Sequence, residues 1–226
     1  IGEGGPELAR QLLEKTYNIS YPKIIAIYLT GAPIPGVGPQ DVALELIRST
    51  FKDGTVKNAV MEFFGPGVAN LSMDYRSGID VMTTETTCLS SVWVADDTLK
   101  DHLAVLGRGD QFKPQAPADG AYYDGVIHVE LDKIRPMIAL PFHPSNAYTI
   151  QEFKENMADL LHQVDEDTVH QLKLKSKPAS LLDKIVDGKF MVDQGVIAGC
   201  SGGTYQNIVR AAQVLDGHAI GSDAFW

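Results

Sequence analysis

Two cysteines, Cys88 and Cys200, stand among the 226 residues, in unlike surroundings. Cys200 follows a short apolar run, Val196-Ile197-Ala198-Gly199, and precedes Ser201-Gly202-Gly203-Thr204-Tyr205. Such a run reads as a buried strand, and the glycines ahead of an amphipathic stretch open a helix. The spacing therefore predicts a cysteine at a strand's carboxyl end, near a helix N-terminus. In open α/β sheets, ligands bind in the crevice beyond those strand ends. A helix N-terminus also favours thiolate over thiol. Three roles are open to Cys200 on these grounds: nucleophile, metal ligand, or small buried residue. Cys88 lies three residues past Glu85 on a stretch with helical spacing and reads as a buried apolar thiol.

The surrounding pattern alternates helix and strand, which predicts an α/β chain: a layered α/β/α fold on a mixed sheet. Pro6 starts a helix with Leu8, Leu12 and Leu13 on its apolar face. Pro22 to Thr30 is a strand, 33–38 a Pro- and Gly-rich loop, and Pro39 opens a second helix with Val42, Leu46 and Ile47 inward and Asp53-Gly54 at its end. Ala59 to Phe64 and Ser90 to Val94 are short strands. Between them, Ile79, Met82 and Thr83 fit helical spacing, although the β-branched residues of 74–87 weaken a helix. Asp96-Asp97 caps a helix holding Leu99, Leu103 and Leu106. A loop leads to the alternating strand Gly125 to Leu131. Thr149 and Glu152 form a capping box before one helix carrying Ile150, Phe153, Met157, Leu160, Leu161 and Val164. The polar stretch 165–190 reads as a linker or a peripheral helical excursion. A last helix carries Ile208, Val209, Ala212 and Leu215. Residues 1–226 form one internal α/β region on this reading, with a subdomain boundary near 90–125.

Composition excludes several classes. The net charge is −10 and no Lys/Arg run offers phosphates a basic surface, so nucleic acid is not an expected partner. Lys173, Lys175 and Lys177 alternate with apolar residues, as a solvated edge does. An acidic chain repels anions, so an anionic substrate would need its cationic contacts in a local pocket or elsewhere in a longer chain. No apolar run approaches the ~20 residues of a membrane helix, and no opening segment reads as a signal peptide. Two cysteines make neither a disulfide framework nor a four-ligand zinc site, and they suit a reducing cytoplasm. The chain opens at Ile1 in a Gly-rich turn and closes on Phe225-Trp226, which reads as an internal piece of a longer polypeptide.

Several blocks resemble one family in consistent order. Cys200, Tyr205 and Arg210 fit, without gaps, the strand–Cys–helix segment of the aconitase and isopropylmalate dehydratase superfamily. Val60-Met61-Glu62-Phe63-Phe64-Gly65-Pro66-Gly67-Val68, then Leu71-Ser72 and Arg76, is similar to its "VEFxGPGV…LSxxxR" run. Leu29-Thr30-Gly31 ahead of Gln40-Asp41-Val42, and Ala121-Tyr122-Tyr123-Asp124, match as well. The resemblance spans nearly the whole chain.

It implies a fold like the aconitase iron–sulfur domains and a hydro-lyase that dehydrates and rehydrates a hydroxy polycarboxylate on a [4Fe-4S] cluster. Three cysteines hold that cluster, and its fourth iron stays open as the Lewis acid that the departing hydroxide requires. Cys200 matches the first cysteine ligand. The other two, an upstream Asp-Ser-His segment, the substrate arginines and the catalytic serine match nothing in this chain, so the resemblance implies a piece inactive without the remaining domains of the same polypeptide. Glu85 matches an active-site glutamate concerned with proton management. Arg76 is a candidate substrate contact, or else the partner of Asp74 or Asp80. Two departures stand out. Ser201-Gly202 replaces Thr-Asn, and Val81 replaces an asparagine that supports the cluster by hydrogen bonding. They admit a second reading, a degenerate, cluster-free binding or regulatory module. His128 and His143 read as structural, with His143 the better placed of the two in its proline-flanked loop. Gly2, Gly4 and Gly5 read as a tight turn, and Trp93 and Trp226 as core or interface.

Overall fold

The computed structural model describes residues 4–16, 18–175 and 178–218; the expectations for Gly2, Lys177 and Trp226 lie outside the described residues. Four strands build the central sheet: β1 (Ile24–Thr30), β2 (Val60–Phe64), β3 (Ser90–Trp93) and β4 (Gly125–Glu130). Their order is β3-β2-β1-β4 and every pair is parallel. Parallel neighbours need crossover connections. Helix α2 (Pro39–Thr50) crosses between β1 and β2, and α3 (Met73–Asp80) with a 3-10 segment, Val81–Thr86, crosses between β2 and β3. Helix α4 (Asp97–Val105) begins the long return to β4, and the Asp96 carboxylate caps it by accepting from the Leu99 N–H.

The strand register sets one face of the sheet against these crossovers. Ile25, Ile27, Leu29, Met61 and Phe63 are buried there with Val42 and Leu46 of α2 and Tyr75 and Ile79 of α3. Phe63 stacks on Trp93 with ring centroids 4.2 Å apart. Each such side chain contributes ~1.5–3 kcal/mol by leaving water. Tyr28, Val92 and Val126 carry the opposite face and are far more exposed. The α/β class is thus met, with the antiparallel pairing of a mixed sheet moved into two separate ribbons. These are β5 (Met137–Ala139) with β6 (Ala147–Thr149), and β7 (Ile185–Val186) with β8 (Lys189–Phe190).

Helix α1 (Gly5–Glu14) starts with Pro6 in its first turn, and Leu8, Leu12 and Leu13 stay exposed. At the start of α2 the Asp41 carboxylate accepts from the Gly38 N–H at 2.7 Å and from the Met137 N–H at 2.6 Å, fastening the helix to β5. Burial pushes the Asp41 carboxyl up, against those two bonds, which pull it down.

One expectation is corrected in the C-terminal half. The single helix after Thr149 is two, α5 (Ile150–Glu155) and α6 (Met157–Gln171), parted where Asn156 leaves helical geometry. The Glu152 carbonyl accepts both the Asn156 N–H at 3.1 Å and the Asn156 side-chain amide at 2.9 Å, which closes α5. Phe153, Met157, Leu161 and Val164 then share a second core with Leu140. Of the two readings of 165–190, the helical excursion is met: α6 runs on to Gln171 and a 3-10 turn spans Leu181–Lys184. Asp165 is buried and accepts from the Leu181 N–H at 2.9 Å and from the Ser180 hydroxyl.

Candidate functional site around Cys200 and Glu85

No strand leads directly into Cys200. Val196 and Ile197 are exposed, and neither sheet edge, β3 or β4, receives them. An apolar run becomes a strand only where an edge accepts its hydrogen bonds, so the expected buried strand is corrected to an open segment. Cys200 is exposed in a single helical turn, α7 (Gly199–Gly202), and helix α8 (Tyr205–Leu215) follows. One turn aligns too few peptide dipoles to act as a helix N-terminus.

Side chains, not strand pairing, place this turn. The Ser201 hydroxyl donates to the Gly78 carbonyl at 2.9 Å, and Asn207 Nδ2 donates to the Ser201 carbonyl at 3.0 Å. The start of α8 is fastened to the start of α3: the Gln206 N–H donates to Asp74 Oδ2 at 2.9 Å, and the Ser72 hydroxyl donates to Gln206 Oε1 at 2.7 Å. Gly78 lets α3 lie close against the start of α2, because a Cβ there would meet the Pro39 ring at 2.8 Å. Beside the turn opens a cleft of about 1150 Å³ whose walls include Val37, Ser72, Tyr75, Ile197, Gln206 and Arg210. Arg210 is the single charged side chain among its described lining residues. The Tyr75 hydroxyl donates to the Val37 carbonyl at 3.3 Å, and burial, then the Asp41 charge, push it well above the usual phenol range while Arg210 opposes them.

Glu85 lies near the end of the 3-10 segment that prolongs α3, a segment closed by Thr87 at φ 61°. The Cys200 turn docks on α3 just before that segment begins, so both residues belong to the surroundings of one continuous element. Glu85 is half-exposed, and its Oε2 stands 3.8 Å from His143 Nε2. The His143 ring stacks on Phe51 with centroids 4.0 Å apart. Nothing in the spacing of Glu85 and His143 announces this encounter.

Arg76 is 2% exposed. Its Nη1 and Nη2 donate to Asp96 Oδ1 and Oδ2 at 2.8 and 2.7 Å, Nη2 also to the Val68 carbonyl at 3.0 Å, and Nε to the Leu71 carbonyl at 3.1 Å. Neither Asp74 nor Asp80 is its partner, which corrects that pairing. Asp80 instead accepts from Ser91 Oγ at 2.6 Å and Trp93 Nε1 at 2.9 Å. The Arg76 guanidinium holds the Asp96 carboxyl below the usual range. Cys88 is half-buried with its thiol donating to the Thr83 carbonyl at 3.4 Å, and His128 Nε2 lies 2.8 Å from Thr30 Oγ1 on the exposed side of the sheet. Trp93 packs against the core, whereas Gly4 and Gly5 sit at the exposed start of α1. Among the described residues no three His, Cys, Asp or Glu side chains converge as metal ligands, and no helix is long and apolar enough to cross a membrane.

The model of the aconitase family (aconitate hydratase) matches residues 1–224. The chain is 28% identical over 223 residues to the mitochondrial aconitate hydratase of Gracilaria gracilis, and 28% over 222 residues to that of Schizosaccharomyces pombe; each match covers 95% of this chain and 25% of the relative. It is 31% identical over 155 residues to the 3-isopropylmalate dehydratase large subunit of Elusimicrobium minutum, covering 68% of this chain and 37% of that subunit. The chain thus spans about a quarter of the length of the aconitate hydratases it matches. With a match over nearly every residue, the chain belongs to the aconitase family.

Proposed function

We propose that this chain is one region of an aconitase-type hydro-lyase, which dehydrates and rehydrates a hydroxy polycarboxylate with the help of a [4Fe-4S] cluster. One observation carries the reading: an exposed cysteine, Cys200, is fixed by Ser201 to the helix whose 3-10 extension bears Glu85. Cys200 would supply one thiolate to the cluster, and exposure leaves its sulfur accessible for that bond. The chain's own residues do not make the full ligand set, so the region on its own is inactive. The remaining ligands come from the rest of the polypeptide, its partner in the site. When bound, the cluster supplies the Lewis acid at the departing hydroxyl.

Each chain residue then has a part. Glu85 manages a proton near the reacting carbon or water. Ser201, in place of the family's threonine, anchors the ligand-bearing turn. Arg76, its guanidinium committed to protein acceptors, serves the scaffold in this reading and not the substrate. Two free cysteines suit a reducing compartment such as the cytoplasm, while the aconitate hydratases compared above are mitochondrial by name.

A cluster-free binding or regulatory module is the second reading, favoured by Val81, which cannot make the hydrogen bond of the asparagine it replaces. Anaerobic reconstitution of the full-length protein with iron and sulfide separates the two. A broad cluster absorbance in wild type, abolished in Cys200→Ser, is the expected result. No cluster in either protein would sink the iron–sulfur reading and leave the module.

A further inference from the structure

We propose that His143 is a positioning residue for Glu85, fixing one carboxylate oxygen so that the other is presented to the reacting group; this rests on Glu85 serving the site as read above. The Ser145 backbone N–H, which can only donate, reaches His143 Nδ1 at 3.1 Å. Nδ1 is therefore the accepting nitrogen, and in the neutral ring the proton sits on Nε2. The Ser145 hydroxyl lies 2.9 Å from the same Nδ1 and can donate to it too. Nε2, the nitrogen left with the hydrogen, is the one that faces Glu85 Oε2 at 3.8 Å.

The ring is held as well as polarised. Phe51, at the end of α2, stacks on it with a 27° interplanar angle. The backbone around it is closed by the Asn146 N–H donating to the His143 carbonyl at 2.8 Å and by Asn146 Nδ2 donating to the Pro141 carbonyl at 2.7 Å. A histidine whose one nitrogen is satisfied by backbone and whose other nitrogen aims at a carboxylate has the arrangement that fixes tautomer and orientation in histidine–carboxylate pairs. The present separation is longer than a hydrogen bond; such bonds are often long without substrate and tighten when it binds. Oε2 is then taken by His143, and Oε1 is the oxygen left to exchange a proton with substrate or water. His143 gives and takes no proton itself in this scheme.

The test uses the full-length protein with ¹⁵N-labelled histidine. Wild type should show a His143 signal of the Nε2–H tautomer, assigned by its loss in His143→Gln, and Glu85→Gln should shift it. A His143 protonated on Nδ1, or a signal indifferent to Glu85→Gln, overturns the inference even if no variant is active. Hydration of aconitate supplies the second readout. His143→Leu should lower kcat ~10–100-fold with little change in KM, and His143→Gln, whose amide can replace the Nε2–H donor, should recover most of it. If Glu85→Gln is impaired while His143→Leu is not, the inference alone fails. If Glu85→Gln is as active as wild type, or wild type does not turn over aconitate, the reading of the site fails, and the tautomer measurement still decides the pairing.

Discussion

Arg76 and Asp96 meet in two parallel hydrogen bonds, 2.8 and 2.7 Å long, with the arginine buried beneath the start of α4. The pair joins α3 to α4 and also supplies the α4 cap. Asp96→Ala removes the partner of a buried cation and a helix cap together. Because Asp96 keeps partial exposure, a loss of ~2–4 kcal/mol is expected, read as a lower denaturant midpoint. A scaffolding pair gives the same loss with and without substrate; a loss confined to the substrate-bound protein would restore Arg76 as a substrate contact.

Two aspartates should tilt stability in opposite directions with pH. The folded Asp96 carboxyl sits below its unfolded value, so its contribution is whole above about pH 4 and disappears as the pH falls through the folded value. The folded Asp41 carboxyl sits above its unfolded value, so the folded chain holds that proton more tightly. Its contribution is whole below the unfolded value and declines as the pH rises through the folded one. Asp96→Asn should therefore flatten the acid limb of a denaturation-midpoint profile, and Asp41→Asn the limb just above it. Asp41→Asn also sets an amide against one of the two backbone donors, costing ~1–3 kcal/mol at neutral pH.

Gly78 is the contact on which the Cys200 turn depends. Gly78→Ala puts a methyl into Pro39 and should cost ~1–3 kcal/mol while displacing the docking carbonyl. Ser201→Ala loses only one hydrogen bond, ~1 kcal/mol, yet frees the turn. Amide exchange should show faster opening around residues 199–207 in Ser201→Ala with the central sheet unchanged.

The two thiols should react at separate rates. Exposed Cys200 should be alkylated at once by a neutral reagent, whereas half-buried Cys88, bonded to the Thr83 carbonyl, should wait for local opening. Cys200→Ser should remove the fast phase alone. Equal rates would contradict this placement.

Where sequence and structure agree, local chemistry suffices. Pro39, the alternation of β4 and the Thr149–Glu152 box each act within a turn or two, and each element forms where its residues ask for it. Val196–Gly199 had the composition of a strand but no edge to pair with, which composition does not reveal. Asn156 leaves helical geometry in the middle of an uninterrupted apolar stripe, which the stripe does not reveal. At the candidate site, Cys200 and Glu85 stand out in the sequence by residue type, but the Ser201–Gly78 anchor, the Arg76–Asp96 pair and the His143–Glu85 encounter are tertiary, and no spacing rule encodes them.

The strand order has a consequence in time. β4 closes onto β1, and the bond from the Ile24 N–H to Asp124 Oδ2 that begins this pairing joins residues 100 apart. At ~5–20 residues per second of synthesis, β1 waits ~5–20 s with one edge bare while β2 already lies along the other. During that interval the bare edge can be claimed by a chaperone or by a second nascent chain. The arrival of β4 ends it, so conditions that stall translation between β3 and β4 should raise the aggregated fraction.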